Sequence, residues 1–220
     1  MSNGAATRIR KSREKIVTAA EDVFLATGFL GSNMDMIAAQ ADVSKQTIYA
    51  HFKSKEVLFT EVMKVMTGGA ARDIGKDLEE VFDGRSVEEY LLDVAVAHLM
   101  IVLTPRLMRL RRLVIGEVER FPELGRSLYQ NGPVRSIRQF TRALEHYQRL
   151  GEIGPGDAEM AATQFNWMVM GGPTSSAMLL GDDGIEGEAE LRAHAKEAVR
   201  IFLSAYAPGR TSKNGIEKIS

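Results

Sequence analysis

The 220-residue chain has no cysteine. That absence removes disulfide frameworks, thiolate zinc sites, iron–sulfur clusters and cysteine nucleophiles together, and it agrees with a reducing compartment. Long hydrophobic runs are missing too. The longest nearly apolar stretch, Val94 to Leu103, holds ten residues including His98, where a membrane span needs about 20. Met1 to Lys15 is polar and basic with no apolar stretch behind it, so no secretory signal is read there and a cytoplasmic protein is expected. The four histidines, His51, His98, His146 and His194, lie far apart in the chain, and none falls in a metal-binding spacing. Gly69 to Asp77 glances at a phosphate loop, but its glycines are six positions apart instead of five and Asp77 stands where a hydroxyl is needed. Neither a dinucleotide fingerprint nor a serine-nucleophile elbow is present. No metal, cofactor or catalytic residue is expected, and the chain does not read as an enzyme.

What is present is ordinary globular composition, 45% hydrophobic and 26% charged, which excludes fibrous, collagenous and wholly disordered classes. The charge is unevenly placed. Residues 1–55 hold eight Lys and Arg against five acids, a net of +3, and the remainder carries −4. A basic end on an acidic body is expected where one end meets a polyanion, because Lys and Arg displace counterions from phosphates. Ten Arg against four Glu between Pro105 and Leu150 read as a solvated or salt-bridged helix face.

Apolar residues recur at helical spacing almost throughout. Ile16, Ala19, Ala20, Val23 and Phe24 share one face of a first helix from about Arg10 to Ala26, and Gly28 supplies a left-handed end. Ser32 is the expected N-cap of a short second helix, with Asp35 in its first turn; Ser44 caps a third, whose buried side is Ile48 and Phe52. Ser54 opens a longer fourth helix, ended by Asp83 and Gly84. Ser86 and Glu89 form a capping box for a helix reaching Leu103. Thr104 with Pro105, and Phe121 with Pro122, start two more. Asn131, Gly132 and Pro133 split a helix that resumes to Leu150. After a Gly151 to Gly156 loop, Asp157 starts a helix interrupted near Gly171, Gly172 and Pro173, and a last one spans about Glu188 to Ala205. No run alternates with period two, so the fold class is all-α. The domain reading is 1–55 with a basic N-terminal tail ahead of the first helix, then 56–207, with a flexible tail at 208–220.

Three short helices with a tight second turn fit a helix-turn-helix, whose last helix enters the major groove of DNA. The polar side of the third helix carries Lys45, Gln46, Thr47, Tyr49 and His51. Such residues reach phosphates and base edges. Lys55 adds a cation at the start of the fourth helix. The alternative is a helical carrier or enzyme in which this unit only packs and the polar face is merely solvated.

Four segments resemble the DNA-binding domain of the TetR family of transcriptional regulators: Ala20 to Phe29, Met34 to Ala38, Val43 to Phe52 and Lys53 to Phe59. The resemblance implies groove contacts from Lys45, Gln46, Thr47 and Tyr49, and phosphate contacts from Ser32, Asn33, His51 and Lys55. Two departures stand out: Asp42 replaces a frequent Gly at a position where a left-handed backbone is expected, and Ala50 replaces a larger polar residue. Leu110 to Gly125 is similar to one subgroup of C-terminal domains in that family. By that likeness, the second domain binds a small-molecule effector and forms a homodimer through the last two major helices, Asp157 to Leu180 and Glu188 to Ala205. The residues expected near the effector are His98, Met100, Arg109, Tyr129, Phe140, Phe165, Trp167 and Met168. The function implied is a regulator, a repressor in its commonest form, that leaves a palindromic double-stranded operator when the effector binds.

Overall fold

The computed structural model describes residues 3–76 and 84–208, with side chains over 6–66 and 84–208. Among them every regular element is helical. The helices are α1 (Asn3–Gly31), α2 (Met34–Gln40), α3 (Lys45–His51), α4 (Lys55–Lys76), α5 (Val87–Val102), α6 (Pro105–Glu117), α7 (Pro122–Asn131), α8 (Pro133–Arg149), α9 (Ala158–Leu180) and α10 (Glu188–Tyr206), with a 3-10 turn at Gly181–Gly184. The expected end of the fourth helix at Asp83 and the expected tail beyond Pro208 lie outside the described residues.

The chain divides into two compact units, Met1–Ala71 with Pro105–Gly132, and Arg72–Thr104 with Pro133–Ser220. The first buries a phenylalanine cluster. Phe24 meets Phe59 edge-on at 4.8 Å, Phe29 meets Phe59 at 5.1 Å, and Phe121, just before α7, meets Phe29 at 4.6 Å. Leu110 and Val114 of α6 and Leu124 of α7 join Ile16, Ala20, Ile37, Ile48 and Phe52 in the same core. Thus α6 and α7, read from sequence as part of the second domain, pack among the N-terminal helices. In the second unit α5, α8, α9 and α10 enclose Tyr90, Leu91, Val94, Phe140, Leu144, Tyr147, Phe165, Val169 and Phe202.

Several local expectations hold. Gly28 has φ 76° and breaks α1 there. Asp42 is left-handed at φ 53°; its N–H bonds to Ala39 O and that of Val43 to Ala38 O, the paired bonds of a Schellman end. Ser44 accepts from Thr47 N, Ser54 from Val57 N and Asp157 from Met160 N, and Ser86 with Glu89 forms the capping box.

Three expectations fail. Helix α1 begins at Asn3, so the basic segment ahead of Arg10 is helical and not a tail. The cap of α2 is Asn33, which accepts from Met36 N at 2.9 Å; Ser32 is buried and donates its hydroxyl to Phe29 O at 2.7 Å. Helix α9 runs through Gly171, Gly172 and Pro173 without a break. Proline at 173 leaves Val169 O without its own-helix N–H, and His194 of α10 donates Nε2–H to that carbonyl at 2.8 Å.

Candidate nucleic-acid interface

Ile48 and Phe52 are buried while Lys45, Gln46, Tyr49 and Ala50 are exposed, so α3 presents one continuous polar side to solvent. The reason is local: a seven-residue helix held by a serine cap at one end and one buried isoleucine needs only a narrow apolar stripe. Tyr49 keeps 45% of its surface accessible. Lys45 Nζ donates to Asp35 Oδ2 at 2.8 Å, with both side chains mostly exposed. That bond raises the lysine pKa. An exposed pair of this kind is worth little and yields readily to a phosphate. Thr47 is half-buried and shares a hydrogen bond with the Ser44 hydroxyl at 2.8 Å. His51 is half-buried at the end of the helix, and Asn33 is exposed at the cap of α2.

Lys55 and Ser32 have different duties from those expected. Lys55 Nζ donates to Phe29 O at 2.6 Å and to Ser32 O at 2.8 Å, and it lies 4.4 Å from the centre of the Phe29 ring. The ammonium therefore ties the start of α4 to the bend that ends α1. With the Ser32 hydroxyl also turned inward, neither side chain is a free surface group. Arg13, counted by sequence among the basic N-terminal charges, is a brace: Nη1 donates to Glu61 Oε1 at 2.7 Å and the guanidinium sits 5.0 Å from the Phe52 ring centre. Glu61 is drawn below the usual carboxylate range by that hydrogen bond. Glu21 and Arg106 tie α1 to α6 in a second ion pair. Long-range partners of this kind leave no signal in sequence.

The residues expected around an effector fall in both compact units. His98, Phe140 and Phe165 are buried together, His98 5.2 Å from Phe140 and Phe140 4.9 Å from Phe165, ring to ring. Met100 and Trp167 each stand two positions from a buried member of that group, about 200° around the helix, and point outward. Met168 is half-buried. Arg109 and Tyr129 belong to α6 and α7 of the first unit and are exposed there. A buried residue that the sequence reading left out is Asn166 on α9; it sits beside Phe165 in a helix whose other buried positions are almost all apolar.

Two family models match the chain. One, for bacterial regulatory proteins of the tetR family, covers residues 16–62; the other, for the C-terminal domain of AefR-like transcriptional repressors, covers residues 89–208. The chain belongs to the TetR family. Among solved structures, this TetR-family chain is similar to a transcriptional regulator of the family from Mesorhizobium loti. The TM-score is 0.84 at 31% identity, over 91% of this chain and 98% of that one. The flavonoid-responsive regulator FrrA matches with a TM-score of 0.76 at 29% identity, over 91% and 99%. The HTH-type transcriptional regulator UidR of Escherichia coli (strain K12) is 25% identical over 158 residues, 70% of this chain and 76% of UidR. The TetR-family chain is therefore a DNA-binding transcriptional regulator and not an enzyme. Regulators of this family bind DNA and ligands and form dimers. No single helix among the described residues is long and apolar enough to cross a membrane.

Proposed function

We propose that this regulator is a repressor that works as a homodimer, placing one α3 from each protomer in successive major grooves of a palindromic operator, and that a small-molecule effector bound by the second unit releases it. The solvent-facing polar side of α3 carries the reading. Lys45, Gln46, Thr47 and Tyr49 are assigned to the groove, and Asn33 and His51 to phosphates. Ser32 and Lys55 support this surface from behind through the contacts of Phe29.

Dimerisation is supported by α9. Met160, Trp167 and Leu179 are large apolar side chains exposed on one side of α9, Leu179 at 84%, with Gln164 and Ser175 exposed on the same side. Ile201 is exposed on α10. Aromatic and Met side chains exposed on a surface helix are the residue types that interface centres favour. Two recognition helices must then lie about 34–36 Å apart, or a multiple of one DNA turn. Effector release by a hundredfold needs about 2.8 kcal/mol of difference in effector affinity between the two states. The relative named flavonoid-responsive supports an aromatic effector for this chain.

Selection of bound DNA from a random pool tests the proposal. The expected product is a palindrome with half-sites about one helical turn apart. Recovery of a single half-site sinks the dimer, and no enrichment sinks the interface.

A further inference from the structure

The interior of the second unit holds two polar side chains with atoms that the fold leaves unpaired. His98 on α5 and Asn166 on α9 are each only 2% exposed. His98 Nδ1 lies 2.8 Å from Val94 O. A carbonyl can only accept, so Nδ1 carries the proton and Nε2 of the neutral ring is a lone-pair acceptor. Burial holds the ring neutral, drawing its pKa down to about 4. Among the described residues Nε2 meets no donor, and the Asn166 carboxamide has no hydrogen-bond partner.

Other polar groups of the unit are served. Thr174 donates to Met170 O, Tyr147 to Arg85 O, and Gln148 to Gly154 O and Gly156 O. Burying a carboxamide without a partner is costly, and native interiors seldom leave one so. No side-chain nitrogen or oxygen among the described residues is both sealed from solvent-sized space and unpartnered. The accessible sliver of each residue therefore includes these very atoms. Their surroundings are aromatic: the His98 ring packs on Phe140, Phe140 stands edge-on to Phe165, and Asn166 follows Phe165 on a helix that contacts α5. Among the described residues of this unit, no Asp, Glu, Lys or Arg is buried.

We infer that His98 Nε2 and the Asn166 carboxamide are the two polar contacts of an internal ligand site that takes an uncharged, hydroxyl-bearing aromatic molecule. The inference rests on the reading of the second unit as effector-binding. An acceptor nitrogen with no donor requires the ligand to bring the proton, as a phenolic hydroxyl does. A carboxylate meets a lone pair there, and an ammonium finds no buried counter-charge. The carboxamide both donates and accepts, so it serves a second hydroxyl or a ring carbonyl. The phenyl rings supply the apolar walls that ligand sites of this size use.

The test is calorimetric titration of the full chain with 2-naphthol, its methyl ether 2-methoxynaphthalene, and naphthalene. The hydroxyl compound is expected to bind about tenfold more tightly than the ether, the scale of one buried hydrogen bond. His98→Phe is expected to erase that gap by weakening 2-naphthol alone, and His98→Gln, which keeps an acceptor, to restore part of it. Asn166→Leu weakens 2-naphthol severalfold. Equal affinity for naphthol and ether, or a gap that survives in folded His98→Phe protein, overturns the assignment, as does binding of none of the three probes, which leaves only water at the site. Operator DNA from the selection experiment is titrated in parallel. Loss of the naphthol preference with DNA binding intact defeats this inference alone, whereas failure to bind DNA defeats the regulatory reading beneath it.

Discussion

Lys55 sits where a phosphate-binding cation is expected, yet its ammonium already bonds two carbonyls and lies against the Phe29 ring. Lys55→Ala is therefore expected to lower stability by about 1–2 kcal/mol, having removed two charge-assisted hydrogen bonds and a cation–π contact. Tyr49→Ala, by contrast, leaves the unfolding midpoint unchanged and weakens operator binding at least about tenfold, one good base or phosphate contact. Thermal melts and DNA titrations of the two variants separate these roles; an unfolding midpoint shifted by Tyr49→Ala and not by Lys55→Ala reverses them. His98 makes a second case at this scale. Its folded pKa of about 4 lies below the unfolded value of 6.5 because burial penalises the charged ring. The unfolded chain takes up the proton first, so stability is full above about pH 6.5 and falls as pH drops toward 4. The loss from this group reaches about 2 kcal/mol near pH 5. Denaturant titrations across that range should show a flatter profile for His98→Phe, and an unchanged slope would remove His98 as the source.

Two elements depend on a backbone detail. The turn between α2 and α3 ends in a left-handed Asp42, which keeps the α2–α3 connection short enough for a helix-turn-helix although glycine is absent. In α9, Pro173 should break the helix, but His194 replaces the missing donor at Val169 O and Thr174 donates to Met170 O. His194→Leu is expected to cost about 1–3 kcal/mol, the penalty of an unpaired buried carbonyl. Pro173→Ala returns the native helical N–H to that carbonyl, so in its background the same His194 change should cost less than half as much. Chemical denaturation of the four proteins measures the coupling; additive costs would show that the two residues do not share the carbonyl.

For the whole molecule, the proposed homodimer rests on the exposed side of α9. Trp167 is 45% exposed at the middle of that face, and a charge placed there is costly only if a partner covers it. Trp167→Glu should sediment as a monomer, keep its helical circular dichroism, and lose binding to the two-half-site operator while retaining weak, salt-sensitive binding to DNA. A dimer that persists in this variant moves the interface off α9. The chain belongs to a family of DNA-binding regulators and divides into two compact units.

Sequence alone determined the helical class, the caps at Ser44, Ser54, Ser86 and Asp157, the left-handed positions 28 and 42, and the exposed side of α3. These are set by neighbours within four residues, through hydrogen bonds and a 3.6-residue period that can be read directly. Tertiary structure decided what depends on partners distant in the chain: that Lys55 and Arg13 are braces, that α6 and α7 complete the first core, that His194 rescues Pro173, and that Asn166 is buried. Periodicity says which face of a helix turns inward, but not which other helix meets it there, and it is that second surface which determines whether a polar side chain is satisfied, exposed or left open to a ligand.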